Sequence, residues 1–237
     1  MLKRFLIAAA FILAACQSAA PIETSLVPPT ISVSPTPPPK WLETEMNGVS
    51  LGMWQPDGWE SDLTDGMVVA EHTAVSGGSG AGGLLIYLFV PPPGEFHIKG
   101  NPPNYALAML DQVVKMPSHM GWDMRVTQPI GFQWGEQQAA YYLMTKGDGT
   151  RALIIALAPP NLFKVVLCNV SAPLPEASRI RALLPQLLDG LTVNGKSLHG
   201  SALDDLPNPL PFPRYSQPPT DESESGTEES DVTSQPS

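Results

Sequence analysis

The chain has little with which to build a catalytic or metal centre. Its 237 residues include two cysteines and four histidines, and the histidines (His72, His97, His119 and His199) stand singly. There is no H-E-x-x-H or His-x-His spacing to make a zinc site. No G-x-S-x-G elbow occurs, because Ala81 stands where the second glycine would be needed after Ser79. Basic residues are few, at 13 against 23 acids for a net charge of −10, which excludes the basic footprint of a nucleic-acid binder. Long apolar runs are missing too. The N-terminal one, Phe5 to Leu13, falls far short of the roughly 20 residues a spanning helix requires, and Leu84–Val90 and Leu153–Ala158 are strand-length.

What is present begins with an address. Lys3 and Arg4 precede the short apolar run, and Leu13-Ala14-Ala15-Cys16 follows it, the plan of a secretory leader. This junction resembles the lipobox of bacterial lipoproteins. The resemblance implies that residues 1–15 are a signal peptide and that Cys16 becomes an acylated N-terminus. The expected partner is therefore membrane lipid through Cys16, and the expected location is extracytoplasmic on a bacterial membrane. More than one acyl chain holds a protein stably at a bilayer. An acylated Cys16 leaves Cys168 alone, so no internal disulfide can form. Cys168 sits in the apolar "LFKVVLCNV" and reads as a small buried hydrophobe.

Composition divides the rest. Residues 16–40 contain the anchor and a Pro/Ser/Thr-rich spacer, "QSAAPIETSLVPPTISVSPTPPPK", which could hold a domain tens of ångströms from the membrane at about 3.1 Å per residue. Residues 41–200 carry the hydrophobic patterning. Residues 201–237 hold eight acids against Arg214, the composition of a disordered acidic tail.

Within 41–200 the periodicity alternates. "GVSLGMW" reads as a strand entering a Pro56-Asp57-Gly58 turn. "GMVVAEHT" and "GGLLIYLFV" read as a strand pair around a glycine-rich loop. "YALAMLDQVVKM" reads as a helix with Ala106, Met109, Leu110, Val113 and Val114 on one stripe. "MRVTQPIGFQW", "EQQAAYYLMT", "TRALIIALA" and "LFKVVLCNV" read as a four-strand antiparallel meander, with "KGDG" and "PPN" as turns. "PEASRIRALLPQLLDG" reads as a second helix, with Gly190 ending it and Pro185 expected to kink or divide it near Leu184. "LTVNG" closes as a short strand. The fold class expected is α+β: a single domain with one central antiparallel sheet flanked by helices.

The "GVSLGMWQPDGWE" start, the "FQWGEQQAAYYLM" strand and the "LLPQLLDGLTV" ending together resemble PsbP-like domains, with Gly58 and Trp59 the most telling pair. The resemblance covers roughly residues 45–196. It implies an α/β/α sandwich in a secreted or lumenal protein acting as an accessory or binding module, and carries no catalytic residue. Trp59, like Trp54, Trp122 and Trp134, is expected to cap the edge of a core.

Three features remain as candidates for chemistry. Gly78, Gly80 and Gly83 spell G-x-G-x-x-G, but a β-rich run follows where a dinucleotide site needs a helix. Glu71-His72 and Glu95-x-His97 could supply a carboxylate beside an imidazole if the fold joined them. The long loop "PPPGEFHIKGNPPN" carries Phe96, His97, Ile98 and Lys99 at its centre, the candidate binding loop for a protein partner. The function expected is a noncatalytic binding or accessory module at the cell envelope, acting as a monomer, with no cofactor and no metal. The alternative is an envelope hydrolase whose pocket the sequence hides.

Overall fold

In the computed structural model the described residues are 39–75, 82–96, 98–116, 123–160, 164–198 and 201–215. The chain opens with a hairpin, β1 (Lys40–Met46) and β2 (Val49–Gln55). β1 comes earlier than composition suggests, because Leu42, Thr44 and Met46 alternate inward. The two strands pair in unbroken register around Asn47-Gly48, whose φ values of 50° and 70° make the left-handed two-residue turn that Asn-Gly favours. Asn194-Gly195 repeats the device, with φ of 52° and 73°, between β11 (Thr192–Val193) and β12 (Lys196–Ser197). These four strands form one small sheet in the order β1-β2-β11-β12.

The larger sheet contains β3 (Trp59–Asp62), β4 (Met67–Glu71), β5 (Leu85–Phe89), β6 (Met124–Val126), β7 (Ile130–Trp134), β8 (Gln137–Lys146), β9 (Arg151–Ala158) and β10 (Val166–Ala172). Its order is β3-β4-β5-β10-β9-β8-β6, with β7 also on β8, and every pairing is antiparallel. The expected meander is therefore present. Its first member is split into β6 and β7 at Thr127–Pro129, because Pro129 offers no ladder donor. Thr127 spans the gap, its N–H donating to the Leu143 carbonyl and its hydroxyl accepting from the Leu143 N–H.

Three helices follow the strands: a single turn α1 (His72–Val75), α2 (Tyr105–Lys115) and α3 (Ala177–Leu188). Asn104 caps α2, its side chain accepting from the Leu107 N–H at 2.9 Å. Of the kink or division expected at Pro185, division does not occur: α3 runs through it, and the ladder resumes beyond, with the Asp189 N–H donating to the Pro185 carbonyl at 3.0 Å. Gly190, with φ of 76°, turns the chain away just beyond it.

Alternation along the strands builds two cores. Leu153, Ile155, Val166, Cys168 and Val170 face one way and join Ile180, Leu184, Leu187 and Leu188 of α3 together with Leu42, Leu51 and Met53 of the small sheet. Ala140, Tyr142, Ala152 and Ala156 face the other way, onto Ala106, Met109 and Leu110 of α2. The single sheet expected from sequence is thus two sheets, mostly antiparallel, with a few helices, and all described residues belong to one compact unit, Pro37–Ser237.

The first part of the segment expected to be a disordered acidic tail is instead folded onto the domain. Leu203, Leu206 and Leu210 are buried in the first core. The Thr145 hydroxyl donates to the Pro213 carbonyl at 2.7 Å, and Arg181 donates to the carbonyls of Asp204 and Leu206. The prolines in "LPNPLPFPR" suppress helix and strand patterning, yet every third or fourth residue is a leucine that finds the core. Residues 216–237, the spacer up to Pro38 and the leader with Cys16 lie outside the described residues.

Candidate functional site

Two adjoining clefts lie where β1, the β3–β4 turn and the loop after β5 meet. The first, about 480 Å³, is lined by Thr44–Asn47, Leu63–Gly66, Tyr87, Phe89, Val90 and Pro92. The second, about 150 Å³, is lined by Pro91–Gly94, Phe96, Tyr105, Met109, Lys164 and Val165. Pro92 is common to both.

Their walls follow from local sequence. Tyr87 and Phe89 share a face of β5 two residues apart, and their rings stack at 5.0 Å with an interplanar angle of 17°. The Tyr87 hydroxyl donates to the Asp65 carbonyl at 3.1 Å. Gly66 is needed beneath it, since a Cβ there would stand 2.4 Å from the Tyr87 ring. Asn47, held left-handed in its turn, donates from Nδ2 to the Val90 carbonyl at 2.7 Å, and its own carbonyl accepts from Lys164 Nζ at 2.6 Å. One ammonium therefore ties the β1–β2 turn to the rim of the second cleft.

The predicted binding loop borders these clefts only in part. Phe96 and Ile98 are half-buried and pack against the α2 core, while Lys99 is exposed. His97 lies outside the described residues. Phe96 is the member that lines a cleft.

The carboxylate–imidazole pairs are distributed differently from the enzyme alternative. Glu71 is taken by Arg179, whose Nη2 and Nη1 reach its two oxygens at 2.5 and 3.1 Å while Nη1 also reaches Glu176 at 3.0 Å. Glu71 also accepts from the Leu84 N–H. The Arg179 hydrogen bond holds the Glu71 carboxyl below its ordinary value, against the opposing effect of burial. His72 Nδ1 meets Glu60 at 2.5 Å on an exposed surface. Glu95 is exposed at the loop. Gly83 packs tightly against Glu71 and Thr73 and leads into β5 rather than a helix. Among the described residues, no group of three or more His, Cys, Asp or Glu could hold a metal ion, and no helix is long and apolar enough to cross a membrane.

Cys168 is fully buried, and burial pushes its thiol up to about 12, which keeps it protonated and inert. Of the tryptophans, Trp134 is buried and Trp59 packs against the first core, but Trp54 is 49% exposed. It meets Trp41, 38% exposed, edge to face at 5.0 Å and 67°. Sequence reasoning passed over Trp41 because Pro-rich composition masked the start of β1. The signal available was the "NG" turn, which demands a strand on either side.

No family model matches the chain, and no curated protein matches it. Its likeness to solved structures is one of fold. The solution structure of cyanobacterial PsbP (CyanoP) from Synechocystis sp. PCC 6803 is 12% identical with a TM-score of 0.40, covering 65% of this chain and 92% of that one. The crystal structure of the Saccharomyces cerevisiae Ran-binding protein Mog1p is 10% identical with a TM-score of 0.36, covering 61% of this chain and 82% of that one.

Proposed function

We propose that this chain is a bacterial lipoprotein, acylated at Cys16, whose PsbP-like α/β/α domain acts as a noncatalytic protein-binding module outside the cytoplasm. The lipobox-like junction supports the anchor and the location. A strand ending in the Gly58-Trp59 turn, and a leucine-rich helix dropping into a short strand, support the PsbP-like assignment. The observation that carries the binding role is the pair of clefts divided by Pro92, lined by aromatic rings, prolines and aliphatic side chains with Glu45, Asp65 and Lys164 among them. The titratable pairs Glu71–Arg179 and Glu60–His72 line neither cleft, which favours a docking surface over a hydrolase.

Two measurements test this reading. Cys16→Ser should release the protein from the membrane fraction or leave its leader uncut. A processed, membrane-bound variant would remove the lipoprotein assignment. A photo-crosslinking residue at the exposed Pro93, on the rim of the second cleft, should form a defined adduct with an envelope protein in the native host, and the same residue at Asp148 on the β8–β9 turn should not. Equal labelling from both positions would remove the clefts from the argument.

A further inference from the structure

β1 ends the small sheet on its side and, among the described residues, pairs only with β2. Its outer N–H and C=O groups therefore form an open row along Lys40–Met46. Natural sheets guard such rows with proline, lysine, a bulge or an inward-pointing charge. Lys40 is such a guard at the start of the strand, and the outward Glu43 and Glu45 add charge that disfavours acidic strands, but from Trp41 to Met46 no proline, lysine or bulge closes the row. Its register with β2 is unbroken, Leu42, Thr44 and Met46 turn inward, and the outward residues are Trp41, Glu43 and Glu45.

That outward face has one consistent chemistry. Opposite Glu43 stands Gly52, where a Cβ would lie 2.4 Å from the Trp41 ring, so the missing side chain lets the indole lie across the sheet. Trp41 and Trp54 meet edge to face and leave ring surface open to solvent. Glu43 accepts from the Ser50 hydroxyl at 3.3 Å, and both Glu43 and Glu45 are exposed. The inner side of the same edge opens on the larger cleft, which Thr44, Glu45 and Met46 line from β1 and Asn47 from the turn after it, and where Asp65 adds another carboxylate.

We propose that β1 receives an extended, basic segment of a protein partner as an added strand. This deepens the binding-module reading and rests on it. Main-chain bonds to the open row supply the affinity, and alternate side chains supply the selection. Lysine or arginine on the outward side of the incoming strand falls cross-strand from Glu43 and Glu45, where opposite charges attract, and its cation can lie over the Trp41 ring. The intervening aliphatic residues turn toward the cleft floored by Leu63, Tyr87 and Phe89. Acidic segments meet like charges on the same face and are refused.

Three synthetic peptides test the proposal on the mature chain: Lys-Val-Lys-Val-Lys-Val, its Glu-for-Lys counterpart, and Lys-Val-Lys-Pro-Lys-Val. The first should bind, slow hydrogen exchange at the β1 amides that β2 leaves free, and perturb the indole N–H resonances of Trp41 and Trp54. The proline peptide keeps all three lysines but loses the strand, so it should bind roughly tenfold more weakly or worse. The glutamate peptide should not bind. Glu43→Gln/Glu45→Gln, a mild surface change, should weaken the lysine peptide roughly tenfold with an unchanged melting temperature, and Glu43→Lys/Glu45→Lys should reverse the preference toward the glutamate peptide.

Equal binding of the proline and uninterrupted peptides would overturn strand addition in favour of bare charge attraction. Protection confined to the 91–98 loop would overturn it while leaving the binding module standing. Absence of any binding would also overturn it, and crosslinking from Pro93 would then judge the broader reading separately.

Discussion

On the face of the large sheet that meets α3 and the small sheet, β8, β9 and β10 present Leu143, Leu153, Ile155, Leu157, Val166 and Val170. On the α2 face the same strands present Ala140, Ala152, Ala156 and Ala158 among a few larger residues. Large branched side chains on the first face pack in one core with α3 and the small sheet. Alanines on the second let one helix lie close, but α2 has only eleven residues and sits over β7, β8 and β9. The β5 residues Tyr87 and Phe89 on that side remain half-exposed, and there the clefts open. One face of the sheet is thus spent on stability, and the other leaves room for a partner.

The comparison can be broken most directly on the α3 side. Leu184→Ala removes a fully buried residue from the first core and should destabilise the domain by about 2–5 kcal/mol, measured by chemical denaturation of the purified chain. Ala156→Leu probes the other face. A leucine at this fully buried position beneath α2 should cost about 1–3 kcal/mol through overpacking. A neutral result would mean that α2 is not seated closely on the alanines and that the contrast between the faces is unfounded.

The smallest effect concerns the Glu71–Arg179 pair that joins β4 to α3. Glu71→Gln should cost about 1 kcal/mol near neutral pH, the scale of one charge-assisted hydrogen bond partly open to solvent. Because the Glu71 carboxyl is held below its ordinary value of 4.5 in the folded chain, its contribution is fully present above that value. It fades as pH falls through the lower folded one. The stability gap between wild type and Glu71→Gln should therefore narrow in acid. A gap that stays constant down to the acid transition would show that Glu71 holds α3 by shape rather than by charge.

Several elements were legible because their cues are local. The alternation of Val49, Leu51 and Met53 marks β2, and the stripe of Ile180, Leu184, Leu187 and Leu188 marks α3. The meander after α2 was equally readable, since its turn at Lys146–Gly149 joins two long apolar runs. Other elements failed for reasons of context. β1 lay behind a Pro-rich composition, and β3 is the polar strand Trp59–Asp62, held by pairing with β4 rather than by its own propensity. Leu203, Leu206 and Leu210 sit in a segment whose charge and proline content read as a tail.

For the site, the sequence pointed to residues 96–99. In the fold, two of them are half-buried instead, and β1, the Leu63–Gly66 turn and Lys164 stand beside the cleft. These residues are 117 positions apart at the Lys164–Asn47 contact, a separation no local pattern can encode.

By itself, the sequence determined the strand and helix propensities, the α+β class and the apolar setting of the buried Cys168, because each depends on residue type and short-range spacing. Only the tertiary structure decided that the described residues form two sheets, that Leu203, Leu206 and Leu210 belong to the core, and that β1 ends the small sheet beside a cleft, pairing among the described residues with β2 alone. Those outcomes depend on which surfaces meet across the fold, and burial is a property of the partner surface as much as of the residue.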